Sequence, residues 1–150
     1  MSSALKNNLQ DAMKAAMKGG DKERLGVIRL IMSALKQVEV DERIELDDTR
    51  IIDIMDKMLK QRRESISQFD KAGRDDLARI ERAEIKIIQT FLPKALSDDE
   101  IEAIIKAAIS QTGAESIKDM GKVMGLVRPQ VVGRGDVGEI SGKIKAILSA

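Results

Sequence analysis

The chain contains few residue types that could carry chemistry, because its 150 residues include no Cys, His, Trp or Tyr. Without Cys or His it can supply by itself no disulfide, thiolate nucleophile, zinc site, haem ligand or imidazole base. The remaining nucleophiles are Ser, Thr and Lys, and no Gly/Ser-rich loop places a serine beside a second serine and a lysine. We therefore predict no catalytic residue, no metal site and no cofactor.

Glycines and cations lie close together in the last third of the chain. Gly121 and Gly125 lie four residues apart, on one face of a predicted helix. Glycines on a helix let another backbone approach closely, although they weaken the helix. Either this helix packs tightly on its neighbours, or its bare face admits RNA phosphate beside Lys118, Lys122 and Arg128.

Residues 133–138 read Gly-Arg-Gly-Asp-Val-Gly, which matches the G-x-G-x-x-G pattern of dinucleotide-binding proteins. That pattern binds a dinucleotide only inside a βαβ unit, after a strand and before a helix. No strand is predicted here. We interpret the segment as a turn whose Asp136 caps the last helix.

The charge is distributed unevenly, although the formal net charge is only +1. Residues 37–56 carry 2 basic and 8 acidic groups, whereas residues 57–94 carry 10 basic and 6 acidic groups. The only aromatic residues, Phe69 and Phe91, cannot build the base-stacking platforms of single-strand RNA-binding modules. A nucleic-acid partner must therefore meet a local basic patch. The ridge at residues 57–63 is either such a patch or the solvated side of a long helix.

Membrane and export signals are not predicted. No apolar run approaches the roughly 18 residues of a membrane span. Residues 1–14 mix charges into what would be the apolar region of a signal peptide. The sequence therefore predicts no membrane partner and a cytoplasmic location, with which the absence of Cys agrees.

Residues with high helix propensity make up most of the chain, and its apolar residues recur at helical spacing. Both features predict an all-α fold. About four helices should form an N-terminal antiparallel domain whose long hairpin turns at Gly73. The acidic stretch at residues 39–48 is predicted to be a loop or a frayed helix end. Pro93 should end the domain, and a capping box beginning at Ser97 should open a tail of three short helices. The predicted domains are residues 1–93 and 94–150.

Caps and glycines also predict the bounds of the tail helices. Gly113 should end the first helix, and Ser116 should cap a second helix that runs to about Val127. Asp136, with Glu139 three residues later, should begin the third.

The hairpin that turns at Gly73 pairs residues whose numbers add to about 146. The pairs are apolar along both helices: Phe69 with Leu77, Ile66 with Ile80, Leu59 with Ile87, and Met55 with Phe91. The same register pairs Arg62 with Glu84, the only charged residues that interrupt the two apolar seams. We predict a salt bridge between them. Alternatively, Arg62 extends to the rim to meet RNA or a partner.

Several segments resemble the GatB/YqeY family, and the match spans nearly the whole chain. They are Lys60–Ile66, Ala72–Arg74, Asp76-Leu77, Glu81, Glu84, Leu92-Pro93, Asp119–Gly125 and Gly133–Asp136. The resemblance implies an all-α fold in two parts, the second similar to the tail domain of the B subunit of glutamine-dependent tRNA amidotransferase. Because that tail contacts the outer corner of tRNA, it implies tRNA or tRNA-dependent amidotransferase or synthetase machinery as partners.

The resemblance carries over particular positions but assigns no catalytic residue. It covers Gly121, Lys122, Gly125, Gly133 and Asp136, to which Arg134 and Lys143 are added for their charge. The candidate RNA-binding residues are Lys118, Lys122, Arg128, Arg134 and Lys143, and backbone approach is expected at Gly121, Gly125 and Gly133.

Three functions follow from these features. The first is a small non-catalytic adaptor that binds tRNA, or a tRNA enzyme, through phosphate contacts of its tail. The second is an accessory component of a glutamine-dependent carbon–nitrogen ligase, active only with a partner subunit that supplies the active site. The third is a protein-interaction module that uses the acidic residues 37–56.

Overall fold

The computed structural model describes residues 3–150, which form seven α-helices and one short 3₁₀ turn, with no strand among them. The elements are α1 (Ala4–Gly19), α2 (Lys22–Glu42), α3 (Asp48–Lys71), α4 (Asp75–Gln89), α5 (Asp98–Thr112), the 3₁₀ turn (Ile117–Asp119), α6 (Met120–Val131) and α7 (Val137–Ser149). The prediction of an all-α fold is confirmed.

Contacts between Cα atoms divide the chain into two compact units, Met1–Pro93 and Lys94–Ala150. We call them the N-terminal unit and the C-terminal unit. Each has its own cluster of buried apolar side chains, which in the N-terminal unit comes mainly from α2 and α3 and in the C-terminal unit from α5, α6 and α7.

Local signals explain where the helices of the N-terminal unit begin and end. Gly20 ends α1 with a φ of 69°, and the Asp21 carboxylate caps α2 by accepting the Arg24 N–H at 3.1 Å. Asp47 caps α3 in the same way. The acidic stretch differs from the prediction, because α2 continues through its first residues and ends only at Glu42.

The α3–α4 hairpin has the predicted register at its centre. The Arg62 Nε donates to Glu84 Oε2 at 2.9 Å, and the Arg62 side chain is only 13% exposed. The predicted salt bridge is therefore confirmed, and Arg62 does not extend to the rim. A second carboxylate, that of Glu81, places its Oε2 3.9 Å from the same Nε atom.

The apolar seam of this hairpin is only partly as predicted. Leu59 and Met55 are buried, and their predicted partners Ile87 and Phe91 pack against the same core. Ile80, however, is 55% exposed, and Ala78 is fully buried instead. Ile80 therefore lies outside the buried face of α4. Near the turn, the inward position is occupied by the small side chain of Ala78.

The helices of the C-terminal unit begin and end close to the predicted residues. Ser97 and Glu100 form the predicted capping box of α5, and Gly113 ends that helix with a φ of 66°. Ser116 precedes the 3₁₀ turn instead of capping α6 directly. The helix α6 then runs to Val131, four residues beyond the predicted end.

Candidate nucleic-acid interface

The helix α6 is positioned by a row of valines on one of its sides. Val123, Val127 and Val131 are each fully buried in the core of the C-terminal unit. This spacing of four residues keeps all three on one face of the helix. The opposite side of α6 is therefore turned toward solvent.

Gly121 and Gly125 lie on that solvent side, and both are exposed. A Cβ atom added at either position would meet no heavy atom within 4 Å, apart from the helix's own backbone. The interpretation that these glycines let α6 pack tightly on its neighbours is therefore wrong for the described structure. The alternative remains, namely a bare stretch of backbone open to a ligand.

Three of the five candidate cations flank this open stretch. Lys118, Lys122 and Arg128 are all exposed, and none of them forms a salt bridge within residues 3–150. Lys122 is near Asp119, whose pKa is lowered mainly because the backbone N–H groups of Glu115 and Ser116 donate to its carboxylate, and also by the charge of Lys122. The side of α6 that displays the glycines thus also displays positive charge.

The other two candidate cations have partners inside the C-terminal unit. The Arg134 Nε donates to the Lys94 carbonyl at 3.1 Å, and the Arg134 carbonyl accepts the Leu96 N–H at 2.8 Å. Arg134 thus holds the segment before α5 against the turn before α7. Lys143 lies 3.7 Å from Asp98 in an exposed ion pair.

The remaining predicted positions have structural roles. Gly133 is buried with a φ of 74°, which a glycine adopts without strain, so its backbone is not open to the approach that was predicted. Asp136 caps α7 as predicted, accepting the N–H groups of Gly138 and Glu139 at 2.9 and 3.4 Å.

A similar combination of an exposed glycine and an exposed cation lies on α7 and was not predicted from the sequence. Gly142 is exposed with no atom within 4 Å of an added Cβ, and Lys145 is exposed without an ion pair among the described residues. Helical spacing could have identified it, because Lys145 is three residues from Gly142 and so lies on nearly the same side, whereas its neighbour Lys143 points elsewhere.

The charged segments of the N-terminal unit are largely occupied by their own contacts. The ridge at residues 57–63 is divided, since Arg62 points inward while Lys57 and Lys60 are exposed. In the acidic stretch, Glu39 pairs with Lys6 at 3.0 Å and Glu42 pairs with Arg50. Asp48 accepts hydrogen bonds from the Ser3 hydroxyl and the Leu5 N–H.

Within residues 3–150, no helix is both long enough and apolar enough to cross a membrane. No group of three or more carboxylates in the same range is placed to hold a metal ion.

Comparison with known proteins gives one consistent result. The family model described as YqeY-like protein matches residues 6–148. Relatives named altered inheritance of mitochondria protein 41, mitochondrial, include that of Kluyveromyces lactis, 34% identical over 146 residues, which are 95% of this chain and 75% of the relative. That of Pyrenophora tritici-repentis is 28% identical, with 95% and 80% covered, and that of Meyerozyma guilliermondii is 31% identical, with 85% and 76% covered. The chain belongs to the YqeY-like protein family.

Proposed function

We propose that the protein is a small adaptor that binds tRNA through the exposed side of α6, using phosphate contacts without base readout. The observation that carries the proposal is the open pair Gly121 and Gly125. Each glycine weakens a helix by roughly 0.5–1 kcal/mol relative to alanine. Within the described structure no packing contact requires either one, so a ligand that approaches the backbone explains both.

The surroundings of the glycines favour a phosphate backbone as that ligand. Lys118 in the 3₁₀ turn and Lys122 and Arg128 on α6 are spread over about ten residues, or roughly 15 Å at the rise of an α-helix. Binding through phosphate contacts requires such a row of cations. It does not depend on aromatic side chains. The C-terminal unit contains no aromatic residue, which disfavours recognition by base stacking.

The salt dependence of tRNA binding tests this proposal. If all three cations contact phosphates, the logarithm of the affinity should fall with the logarithm of the salt concentration with a slope of about −2 to −3. Replacing Lys118, Lys122 or Arg128 with Ala should make the slope shallower by about 0.7–0.9 per residue. Lys106→Ala is the matched control, because Lys106 is exposed in the same unit and pairs with Glu102 at 2.9 Å.

Three results would reject the proposal. One is no binding of tRNA by the full chain at low salt. Another is an unchanged slope in all three variants. The third is an equal change of slope in the Lys106→Ala control. The fraction of helix measured by circular dichroism should stay the same in every variant, since all four side chains are exposed.

The alternatives have their own tests. An accessory role in a glutamine-dependent carbon–nitrogen ligase requires glutamine-dependent ammonia release that increases when this chain is added to candidate partner subunits. A protein-interaction role for residues 37–56 is less favoured, because Glu39, Glu42 and Asp48 already have partners within the N-terminal unit.

The compartment is also a proposal. The sequence predicts a cytoplasmic location, whereas the fungal relatives carry the word mitochondrial in their names. We propose that the protein works where tRNA is charged and used, which in a eukaryotic cell includes the mitochondrion as well as the cytoplasm. Fractionation of the source cells, followed by detection of the chain, distinguishes the two.

A further inference from the structure

Pro129 lies inside α6, two residues before its end. In an α-helix the N–H of residue 129 would donate to the carbonyl of Gly125, four residues earlier. Proline has no N–H, and its ring also presses against that carbonyl. The Gly125 carbonyl therefore lacks the hydrogen bond that an interior helical carbonyl normally accepts.

This acceptor lies on the open side of α6. Gly125, Arg128 and Pro129 are all exposed, and a Cβ atom added at Gly125 would meet no heavy atom within 4 Å apart from the helix's own backbone. The next carbonyl, that of Leu126, accepts the side-chain amide of Gln130 at 2.9 Å. The charged residues of α6 are Lys122 and Arg128, each within one helical turn of Gly125, and both are cations, which attract anions.

An acceptor beside cations fits a ligand that has a hydrogen-bond donor next to a negative charge. In RNA the ribose 2′-hydroxyl is such a donor, and it is directly adjacent to the 3′-phosphate. DNA has the same phosphate but lacks the hydroxyl. We propose that the Gly125 carbonyl accepts a hydrogen bond from a ribose 2′-hydroxyl while Arg128 and Lys122 contact the neighbouring phosphates, so that α6 distinguishes RNA from DNA. This inference rests on the proposed RNA-binding function.

The size of the expected discrimination follows from a single hydrogen bond. Such a bond contributes a factor of about 2 to 12 in affinity. Because the bond does not depend on charge, the preference for RNA should persist at every salt concentration at which binding is measurable, while both affinities fall together.

The test compares three short hairpins of one sequence, made of RNA, of DNA and of 2′-fluoro RNA, binding to the full chain. The 2′-fluoro hairpin keeps the A-form shape but cannot donate a hydrogen bond. The key variant is Pro129→Ala, which restores the N–H donor inside the helix and leaves every charge in place. Gln130→Ala is the matched control, since it changes the adjacent exposed residue without supplying a donor to Gly125.

The wild-type chain and Gln130→Ala should bind RNA about 2 to 12 times more tightly than DNA or 2′-fluoro RNA. In Pro129→Ala the three affinities should become nearly equal. Equal binding of all three hairpins by the wild-type chain would overturn this inference and leave the proposed function standing. An RNA preference that survives Pro129→Ala would also overturn it, and no binding of any hairpin would reject the inference together with the proposed function.

Discussion

The ion pair between Arg62 and Glu84 gives a quantitative prediction for the α3–α4 hairpin. The Arg62 Nε and the Glu84 Oε2 are 2.9 Å apart, and the two side chains are 13% and 23% exposed, respectively. At an effective dielectric constant of about 20, that separation corresponds to roughly 6 kcal/mol of attraction before desolvation is subtracted. Most of this attraction is offset by the loss of hydration and side-chain freedom, so the pair itself stabilises the fold little.

Removing one partner should nevertheless be costly, and the two directions should differ. Arg62→Ala removes the cation that both the Glu84 and the Glu81 carboxylates approach, so the free energy of unfolding should fall by about 2–4 kcal/mol. After Glu84→Ala, Arg62 keeps Glu81 at 3.9 Å and the Met58 carbonyl at 3.3 Å. The loss should then be only about 1–2 kcal/mol. Replacing both residues with Leu should restore most of the stability.

The assay is urea denaturation of the full chain followed by circular dichroism, with hydrogen exchange of the α3 and α4 amides to locate the effect. Arg82→Ala is the matched control, because Arg82 and Asp70 join the same two helices at 2.8 Å with side chains that are 50% and 45% exposed. Its cost should be about 0–1 kcal/mol. An Arg62→Ala variant that loses no more stability than Arg82→Ala would show that the buried pair is no different from the exposed one. A Glu84→Ala variant that loses more stability than Arg62→Ala would likewise overturn this prediction.

Further predictions concern the C-terminal unit. Arg134→Ala should lower its stability by about 0.5–1.5 kcal/mol in thermal melts, because a hydrogen bond is lost, while the salt slope of tRNA binding stays unchanged. Gly113→Ala should destabilise the C-terminal unit by about 1–2 kcal/mol because of the positive φ at this position. Gly121→Ala should stabilise α6 by about 0.5–1 kcal/mol yet weaken tRNA binding. Because the pKa of Asp119 is lowered in the folded protein, its carboxylate stabilises the fold at pH values above the usual pKa of aspartate. This stabilisation is lost as the pH falls through the lowered pKa. Asp119→Asn should therefore lose less stability on acidification, measured by melts across the acidic range. Finally, a fragment of residues 94–150 should show a helical spectrum and a cooperative melt, and a featureless spectrum would mean that it shares its core with the rest of the chain.

Much of the fold could be predicted because its signals are local. Gly113, with its positive φ, and the capping box at Ser97 act through their own backbone conformation and through neighbours three residues away. The pairing of Arg62 with Glu84 is not local, but the turn at Gly73 sets it by simple counting along two helices.

The errors concern which side of a helix is buried. Ile80 has the right spacing for the hairpin seam but is more than half exposed, because the inward direction near the turn is taken by Ala78. Gly121 and Gly125 allow close packing, yet the packing side of α6 is the opposite one, occupied by valines. Helical periodicity shows which residues share a face, but only the arrangement of the neighbouring helices decides which face is covered.

The most direct test of RNA binding by α6 is a titration of the isotope-labelled full chain with tRNA, followed by NMR of the backbone amides. We expect the amide signals of Gly121, Lys122, Gly125 and Arg128 to shift or broaden most, and those of the α3–α4 hairpin to change little. Changes concentrated on Lys57 and Lys60, or no changes on α6 at tRNA concentrations where binding is measured, would contradict this expectation.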